Sequence, residues 1–406
     1  MSILIRNIKG LVQTRDALVS TVRGADMRHL PVIENAFLLI ENGRIKSYGA
    51  NADAPERAGK MIDASGRYVL PCWCDSHTHI VYAGSREGEF VDKINGLSYE
   101  EIAKRGGGIV NSAKRLQDTD ETTLFDSAWE RLAEMEAFGT GAVEIKSGYG
   151  LSYEGEIKML RVIRRLKDRS KLTIRATFLG AHAYPADYKQ NHEGYIDLLI
   201  NKMLPAIADE GLADYIDVFC DRGFFSADET ARILDAGAKY DLRAKIHANE
   251  LDYSGGIEIG VKYNALSVDH LEYTGDEQIA ALMASQTMPT LLPSTAFFLG
   301  LHEPPARRMI DAGLPVAFAS DYNPGSSQSG NMQFILSLAC IKLKMLPEEA
   351  INAATINSAY AMGVDKELGS IAIGKKANVF ITKPMPSLTY MPYSFANNMV
   401  ERVLIS

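Results

Sequence analysis

The chain has 406 residues, 46% hydrophobic and 23% charged, a composition that excludes a disordered chain, a collagen and a coiled coil. That length allows two or three domains, or one (β/α)8 barrel with a smaller companion. A net charge of −8 gives no bulk attraction for nucleic acid or an anionic membrane, and four cysteines make no disulfide framework. The sequence has no apolar run of about 18 residues, and its first residues alternate before turning polar, unlike a signal peptide. A cytoplasmic protein with neither a membrane nor a nucleic-acid partner is expected.

In chain order, the first 65 residues read as short strands at 3–8, 36–41 and 44–48, with Asn42-Gly43 as a hairpin turn. Eight apolar strand candidates follow at 69–74, 142–146, 173–179, 215–219, 243–246, 265–268, 288–292 and 315–319. Helical patterns at 121–138, 155–168, 195–208, 226–240, 276–285 and 304–312 separate several of them, and 347–362 is helical again. Apolar strands alternating with helices predict a parallel sheet covered by helices, and eight units predict the closed α/β barrel. The dinucleotide-binding alternative fails, because Gly139-Thr140-Gly141-Ala142-Val143-Glu144 lacks the last glycine of that fingerprint. The end of the chain is β-rich again at 369–371, 377–382 and 400–405. The expected organisation is a small β-sandwich domain composed of both chain termini, 1–65 and 363–406, beside a TIM-like barrel at 66–362.

In such a barrel the chemistry sits just past the C-terminal ends of the strands. The first strand leads into Asp75-Ser76-His77-Thr78-His79, the fifth into His247-Ala248-Asn249-Glu250, the sixth into Asp269-His270 and the eighth into Ser320-Asp321. Strand side chains alternate, so His77 and His79 share a face that Cys72 and Cys74 do not. A lone His-x-His is weak evidence, but histidines and an aspartate together at four strand ends are not a chance pattern. Three imidazoles and one carboxylate suit a first-row transition metal with room for a water. His29, His192 and His302 fall away from the strand ends, and the cysteines sit in apolar or outward positions that leave them inert.

This arrangement resembles the amidohydrolase superfamily. So does its frame, Gly66-Arg67-Tyr68-Val69-Leu70-Pro71 before the histidines and Gly369-Ser370-Ile371 with Gly374-Lys375-Lys376-Ala377-Asn378 near the end. Cys72 and Asn378 depart from its usual glycine and aspartate. A closer likeness runs through residues 77–86 with Glu89-Phe90, then 106–109, 144–151, 178–182 and 320–326. These blocks resemble the branch that opens the ring amide of 4-imidazolone-5-propanoate to N-formimidoyl-L-glutamate in histidine degradation.

The resemblance implies a metal-dependent hydrolase acting on a small anionic substrate, as a homodimer. Two-metal members carry a lysine at the end of the fourth strand, where this chain has Val218-Phe219-Cys220-Asp221, and Lys146 is expected too far round the barrel to substitute. One divalent or trivalent metal, zinc or iron, is therefore expected on His77, His79, His247 and Asp321. The catalytic set is then Glu250, His270 and Asp321, with the general base left open between Glu250 and His270. Arg86 is the candidate clamp for the substrate carboxylate. Tyr99, Tyr149, His182, Glu250, Asn323, Gly325 and Ser326 complete the expected substrate contacts. A deaminase of a purine or pyrimidine, or a non-catalytic scaffold on the same fold, are the alternatives.

Overall fold

The computed structural model describes residues 2–97, 101 and 107–406. Five strands open the chain: β1 (Ser2–Val12), β2 (Val32–Glu41), β3 (Arg44–Ala50), β4 (Lys60–Asp63) and β5 (Tyr68–Pro71). Asn42 and Gly43 have φ of 49° and 77° between the paired Glu41 and Arg44, the left-handed pair that a two-residue hairpin requires.

Eight parallel strands follow: β6 (Trp73–Thr78), β7 (Thr140–Lys146), β8 (Thr173–Ala181), β9 (Tyr215–Cys220), β10 (Arg243–Ala248), β11 (Ser267–His270), β12 (Met288–Leu291) and β13 (Ala317–Phe318). Each pairs with its sequence neighbour, and helices such as Glu121–Ala137, Tyr153–Arg169 and Ala227–Ala238 pack outside. Asp120, Ser152 and Ser226 cap these three helices through their side chains, which fixes where each begins. The apolar alternates of the strands, among them Val143, Ile145, Ile216, Val218 and Ile246, meet the helices in the main core. The opposite alternates are polar and face the barrel axis. The TIM-like barrel expected from the strand count is the observed fold.

The ring closes between β6 and the chain just after β13. Thr78 and Tyr322 form a parallel bridge, His79 N–H donates to Tyr322 O (2.9 Å) and Asp321 N–H donates to His77 O (3.0 Å). Below them, buried Asp75 receives the Ser320 N–H on Oδ1 (2.9 Å) and the Ser320 hydroxyl on Oδ2 (2.5 Å). This seam sets Asp321 against the two histidines of β6.

The chain then returns to the first sheet through β14 (Val379–Thr382) and β15 (Val400–Leu404). Strand order is β15-β14-β5-β1-β2-β3, with β4 beside β1, so both termini share one seven-stranded sheet around its own apolar core of Ile5, Ile8, Leu38, Ile40, Val69 and Ile381.

Three expectations change in detail. The predicted first barrel strand, 69–74, is two strands: Tyr68–Pro71 pairs with β14 and β1 in the terminal sheet, and only Trp73–Thr78 enters the barrel. Cys72 is the switch, its N–H bonded to Asn378 O (2.9 Å) while Trp73 N–H turns to Gly139 O (3.0 Å). Residues 369–371 form no strand; Ile371 makes a single bridge to Thr14. The helix expected at 195–208 is interrupted by a π-segment at Leu199–Met203, where Pro205 cannot donate to the preceding turn.

Asp75→Ala leaves the buried Ser320 N–H and hydroxyl without acceptors, at about 1–3 kcal/mol for each. Urea unfolding should show a loss of at least about 2 kcal/mol; an unchanged midpoint would remove Asp75 from the closure of the barrel.

Candidate active site

His77 lies in β6, His79 one residue beyond it, His247 in β10, and Asp321 just past the seam. His77 and His79 bring their Nε2 atoms to 3.2 Å, and Asp321 Oδ1 is 3.5 Å from each. One nitrogen from each of His77, His79 and His247 fits within a 4.8 Å group. His77 Nδ1 donates to Asp269 Oδ2 at 2.7 Å, which keeps the proton on Nδ1 and leaves the Nε2 lone pair facing the group. His247 Nδ1 stands 3.0 Å from Asp217 Oδ2 without hydrogen-bond geometry, and its buried Nε2 has no protein partner. Burial, and then neighbouring positive charge, holds His77 and His79 well below the usual histidine value, so both are neutral. Neutral imidazoles with converging lone pairs and a carboxylate form a donor set that suits a transition-metal cation.

Glu250 and His270 line the same mouth. Burial, helped by Asp321 and Asp221, pushes the Glu250 carboxyl up to about 8. Its backbone is fixed by Asp221, whose Oδ2 receives the N–H groups of Glu250 (2.8 Å) and Leu251 (2.9 Å). His270 Nδ1 lies 3.8 Å from Glu250 Oε2, and burial lowers this imidazole too. Asp321, with Thr295 donating to Oδ2 at 2.6 Å, is raised to about 6, chiefly by burial. His270, Leu271 and Asp321 hold left-handed φ of 84°, 73° and 50°, a strained backbone at the strand ends.

A cavity of about 470 Å³ joins these groups to Arg86, Tyr149, His182, Asn323, Gly325 and Ser326. Arg86 Nε donates to Ser112 Oγ (2.8 Å), while its Nη2 is buried without a partner. A Cβ on Gly325 would sit 2.7 Å from Arg86 Nη1, so a larger residue here would displace the end of the guanidinium. Tyr149 packs edge-on to both His79 and His182. His182 stacks on His79 at 5.4 Å and is held neutral, its value lowered to about 3 by burial and then His247. Asn323 does not extend free polar atoms: its Oδ1 receives the Gly325 and Ser326 N–H groups, and its Nδ2 donates to Asp321 O. Tyr99 lies outside the described residues.

His29, His192 and His302 stand apart from the cavity, His192 stacked on Tyr184 and His302 bonded to Glu272 O. The buried thiol of Cys74 is pushed up to about 12, and Cys220 and Cys340 to about 11, by burial first.

Sequence reading missed the charged layer beneath the histidines: Glu144, Lys146, Asp217, Lys245 and Asp269, all buried. Lys146, expected not to substitute for a bridging lysine, does not line the cavity; it reaches Asp217 (2.8 Å) and comes within 3.7 Å of Asp269, below the site. It also missed Glu156, whose carboxylate receives the N–H groups of Gly148 (3.0 Å), Gly150 (2.7 Å) and Leu151 (3.0 Å) and so shapes the loop that carries Tyr149. The available signal was charge at alternate positions of otherwise apolar strands, as in Glu144 and Lys146 of β7.

A model of the amidohydrolase family matches residues 95–387, so fold and site together define an amidohydrolase. An imidazolonepropionase from Flavobacterium johnsoniae is 58% identical over 406 residues, covering 100% of this chain and 99% of that protein. Another, from Geobacillus thermodenitrificans, is 41% identical over 408 residues, covering 99% and 96%. The chain belongs to the imidazolonepropionase family. Among solved structures, a triazine hydrolase variant aligns with a TM-score of 0.77 at 16% identity, covering 100% of this chain and 93% of that one. A guanine deaminase from C. acetobutylicum with bound guanine aligns at 0.70 and 15%, covering 100% and 99%. At such identities the likeness concerns the fold alone.

Glu156→Ala strands three buried backbone N–H groups. We expect a stability loss of about 3 kcal/mol or more in urea unfolding. A loss below about 1 kcal/mol would show that the loop holds its shape without the carboxylate.

Proposed function

We propose that the protein hydrolyses the ring amide of 4-imidazolone-5-propanoate, giving N-formimidoyl-L-glutamate. The observation that carries this reading is the single cavity in which the histidine cluster and Asp321 share walls with Arg86, whose buried Nη2 lacks a partner. An unpaired buried donor of this kind is costly until an anion meets it. The substrate's propionate supplies that anion, and a neutral purine or pyrimidine would not. One metal, zinc or iron, would be held by His77, His79, His247 and Asp321. When bound, such an ion supplies Lewis acidity toward the carbonyl and lowers the pKa of a water.

The protein's own groups then divide the work. The base falls to neither Glu250, which carries a proton, nor His270, whose basicity burial lowers, but to Asp321, which accepts a proton from the attacking water. His270, neutral, donates a hydrogen bond to the oxygen on which negative charge develops. Glu250, carrying a proton at neutral pH because of its burial, delivers it to the ring nitrogen as the C–N bond breaks. Arg86 holds the propionate, with Tyr149 and His182 against the ring and Gly325 and Ser326 at the rim. Tyr99 remains a candidate contact on the family likeness. Four free cysteines accord with a reducing cytoplasm. No helix among the described residues is long and apolar enough to cross a membrane. Exposed Phe297, Phe395 and Tyr393 offer apolar surface for a homodimer.

The direct test is turnover of imidazolonepropionate, followed by loss of ring absorbance; no turnover by the metal-loaded protein would end the reading. Arg86→Met should raise KM about 100-fold, with kcat changed only a few-fold and metal content intact, since one charge-assisted bond to a carboxylate is lost. An unaltered KM would exclude the clamp.

Glu250→Gln should lower kcat by about two to four orders of magnitude. Because the Glu250 value is raised to about 8, its proton is present at neutral pH and is lost above that value. Wild-type kcat/KM should therefore fall as pH rises through about 8 and rise again on acidification toward neutrality. A flat profile between pH 7 and about 9 would reassign the acid.

A further inference from the structure

Beneath the imidazoles, Glu144 and Lys146 of β7, Asp217 of β9, Lys245 of β10 and Asp269 of β11 face one another inside the barrel, none more than 1% exposed. The reaction outlined above uses none of them. Lys146 Nζ is 2.6 Å from Glu144 Oε1, 2.8 Å from Asp217 Oδ2 and 3.7 Å from Asp269 Oδ2. The same two aspartate oxygens face the imidazoles: Asp217 Oδ2 is 3.0 Å from His247 Nδ1, and Asp269 Oδ2 is 2.7 Å from His77 Nδ1. One ammonium thus holds two carboxylates, one bonded to His77 and the other beside His247, a pair that stands four strands apart on the ring.

We propose that Lys146 is a positioning residue of the metal site, locking Asp269 against His77 Nδ1 and Asp217 beside His247 Nδ1 so that both imidazoles aim Nε2 at a common point. The inference rests on the metal-dependent reading above. Without the ammonium, the Oδ1 atoms keep their contacts, Asp217 Oδ1 receiving the His247 backbone N–H (3.1 Å) and Asp269 Oδ1 the Ser267 hydroxyl (2.5 Å), but the two Oδ2 atoms that face the imidazoles lose the cation between them. Among the described residues no other ammonium or guanidinium pairs with those two Oδ2 atoms. Lys245 is committed to Glu144 and to the carbonyls of Ser76 (3.1 Å) and Ala361 (3.0 Å). Ser267 donates to Asp269 Oδ1 (2.5 Å), the oxygen away from the imidazole. Two ammoniums against three carboxylates also leave one surplus negative charge under the donors, a floor that favours a cation above it.

Zinc affinity of the folded protein, read by competition with a chromophoric chelator, tests the role. Lys146→Met should bind zinc about 10- to 100-fold more weakly than wild type, the loss typical when a partner of a ligating histidine is disturbed. Because Lys146→Met alone changes the buried charge, the pair Glu144→Gln and Glu144→Gln/Lys146→Met serves as the second measurement. The double variant keeps the wild-type surplus of one negative charge and both aspartates, and it should still lose about tenfold or more relative to wild type, while Glu144→Gln alone shows what loss of the glutamate contributes. Circular dichroism confirms that each variant is folded. Folded variants that hold zinc as tightly as their references would overturn the positioning role and leave Lys146 a stabilising ion pair only. A wild-type protein that binds no zinc or iron would instead defeat the metal-dependent reading itself, a separate result.

Discussion

The mouth of the barrel depends on charges that water does not reach. Taking an ion out of water costs several kcal/mol even after relaxation, so a buried cluster persists only when every member is paired and its remaining lone pairs and protons are met. That condition is fulfilled. Glu144 receives both lysines and the Thr177 hydroxyl, Lys245 adds two backbone carbonyls, and Asp269 takes Ser267. Burial alone would lower Lys146, but Asp217, Glu144 and Asp269 outweigh it and raise the ammonium above its usual value. Burial would likewise raise Asp217, yet Lys146 and His247 hold it well below the usual carboxylate range. Lys146 and Asp217 thus hold each other ionised, and the layer gives the imidazoles a fixed floor.

Rigidity from below is what the strained rim needs. Non-glycine residues at left-handed φ cost about 1–3 kcal/mol each and survive only where the surroundings determine them. His270, Leu271 and Asp321 are such residues, and two of them are tied across a strand gap: Leu271 N–H to Ala248 O (3.1 Å), Asp321 N–H to His77 O (3.0 Å). The terminal sheet contributes to the same end. Because Cys72 switches between the two sheets, β6 is anchored at its start by the pairing of β5 with β14, which opposes a register slip of the strand that carries His77 and leads into His79. Distant ends of the chain are thereby used to fix a two-residue spacing at the site.

Strand count, barrel closure and the histidines at strand ends were legible because each leaves a local mark: an apolar run of the right length, or a polar residue where the run stops. The first barrel strand was misread for the same reason. An unbroken apolar run from Val69 to Cys74 gives no sign that hydrogen bonds change partners at Cys72, since the switch lies in pairing and not in polarity. The charged layer was hidden by position. Lys146 and Asp269 belong to strands that are far apart in sequence, and only the curvature of the closed sheet brings them within 3.7 Å. Glu156 opens a helix by pattern, and nothing local distinguishes it from an ordinary acidic first turn until the loop folds onto it.

A net charge of −8 is an odd property for a protein whose proposed substrate is an anion, and the resolution is one of distance. Exposed charges are screened beyond about 8 Å at physiological ionic strength, so most of the acidic surface is not felt inside the cavity. What the substrate meets is local and ordered along the cavity. Arg86 offers an unpaired donor at one wall, and the imidazole cluster lies over a negative floor at another. Guanidinium and histidines are both built from groups that resist reorganisation, one braced by Ser112 and the close approach of Gly325, the other by Asp217 and Asp269. An anion oriented by the first therefore presents its ring to the second without a rearrangement of either, which is where preorganisation lowers a barrier that bulk charge leaves untouched.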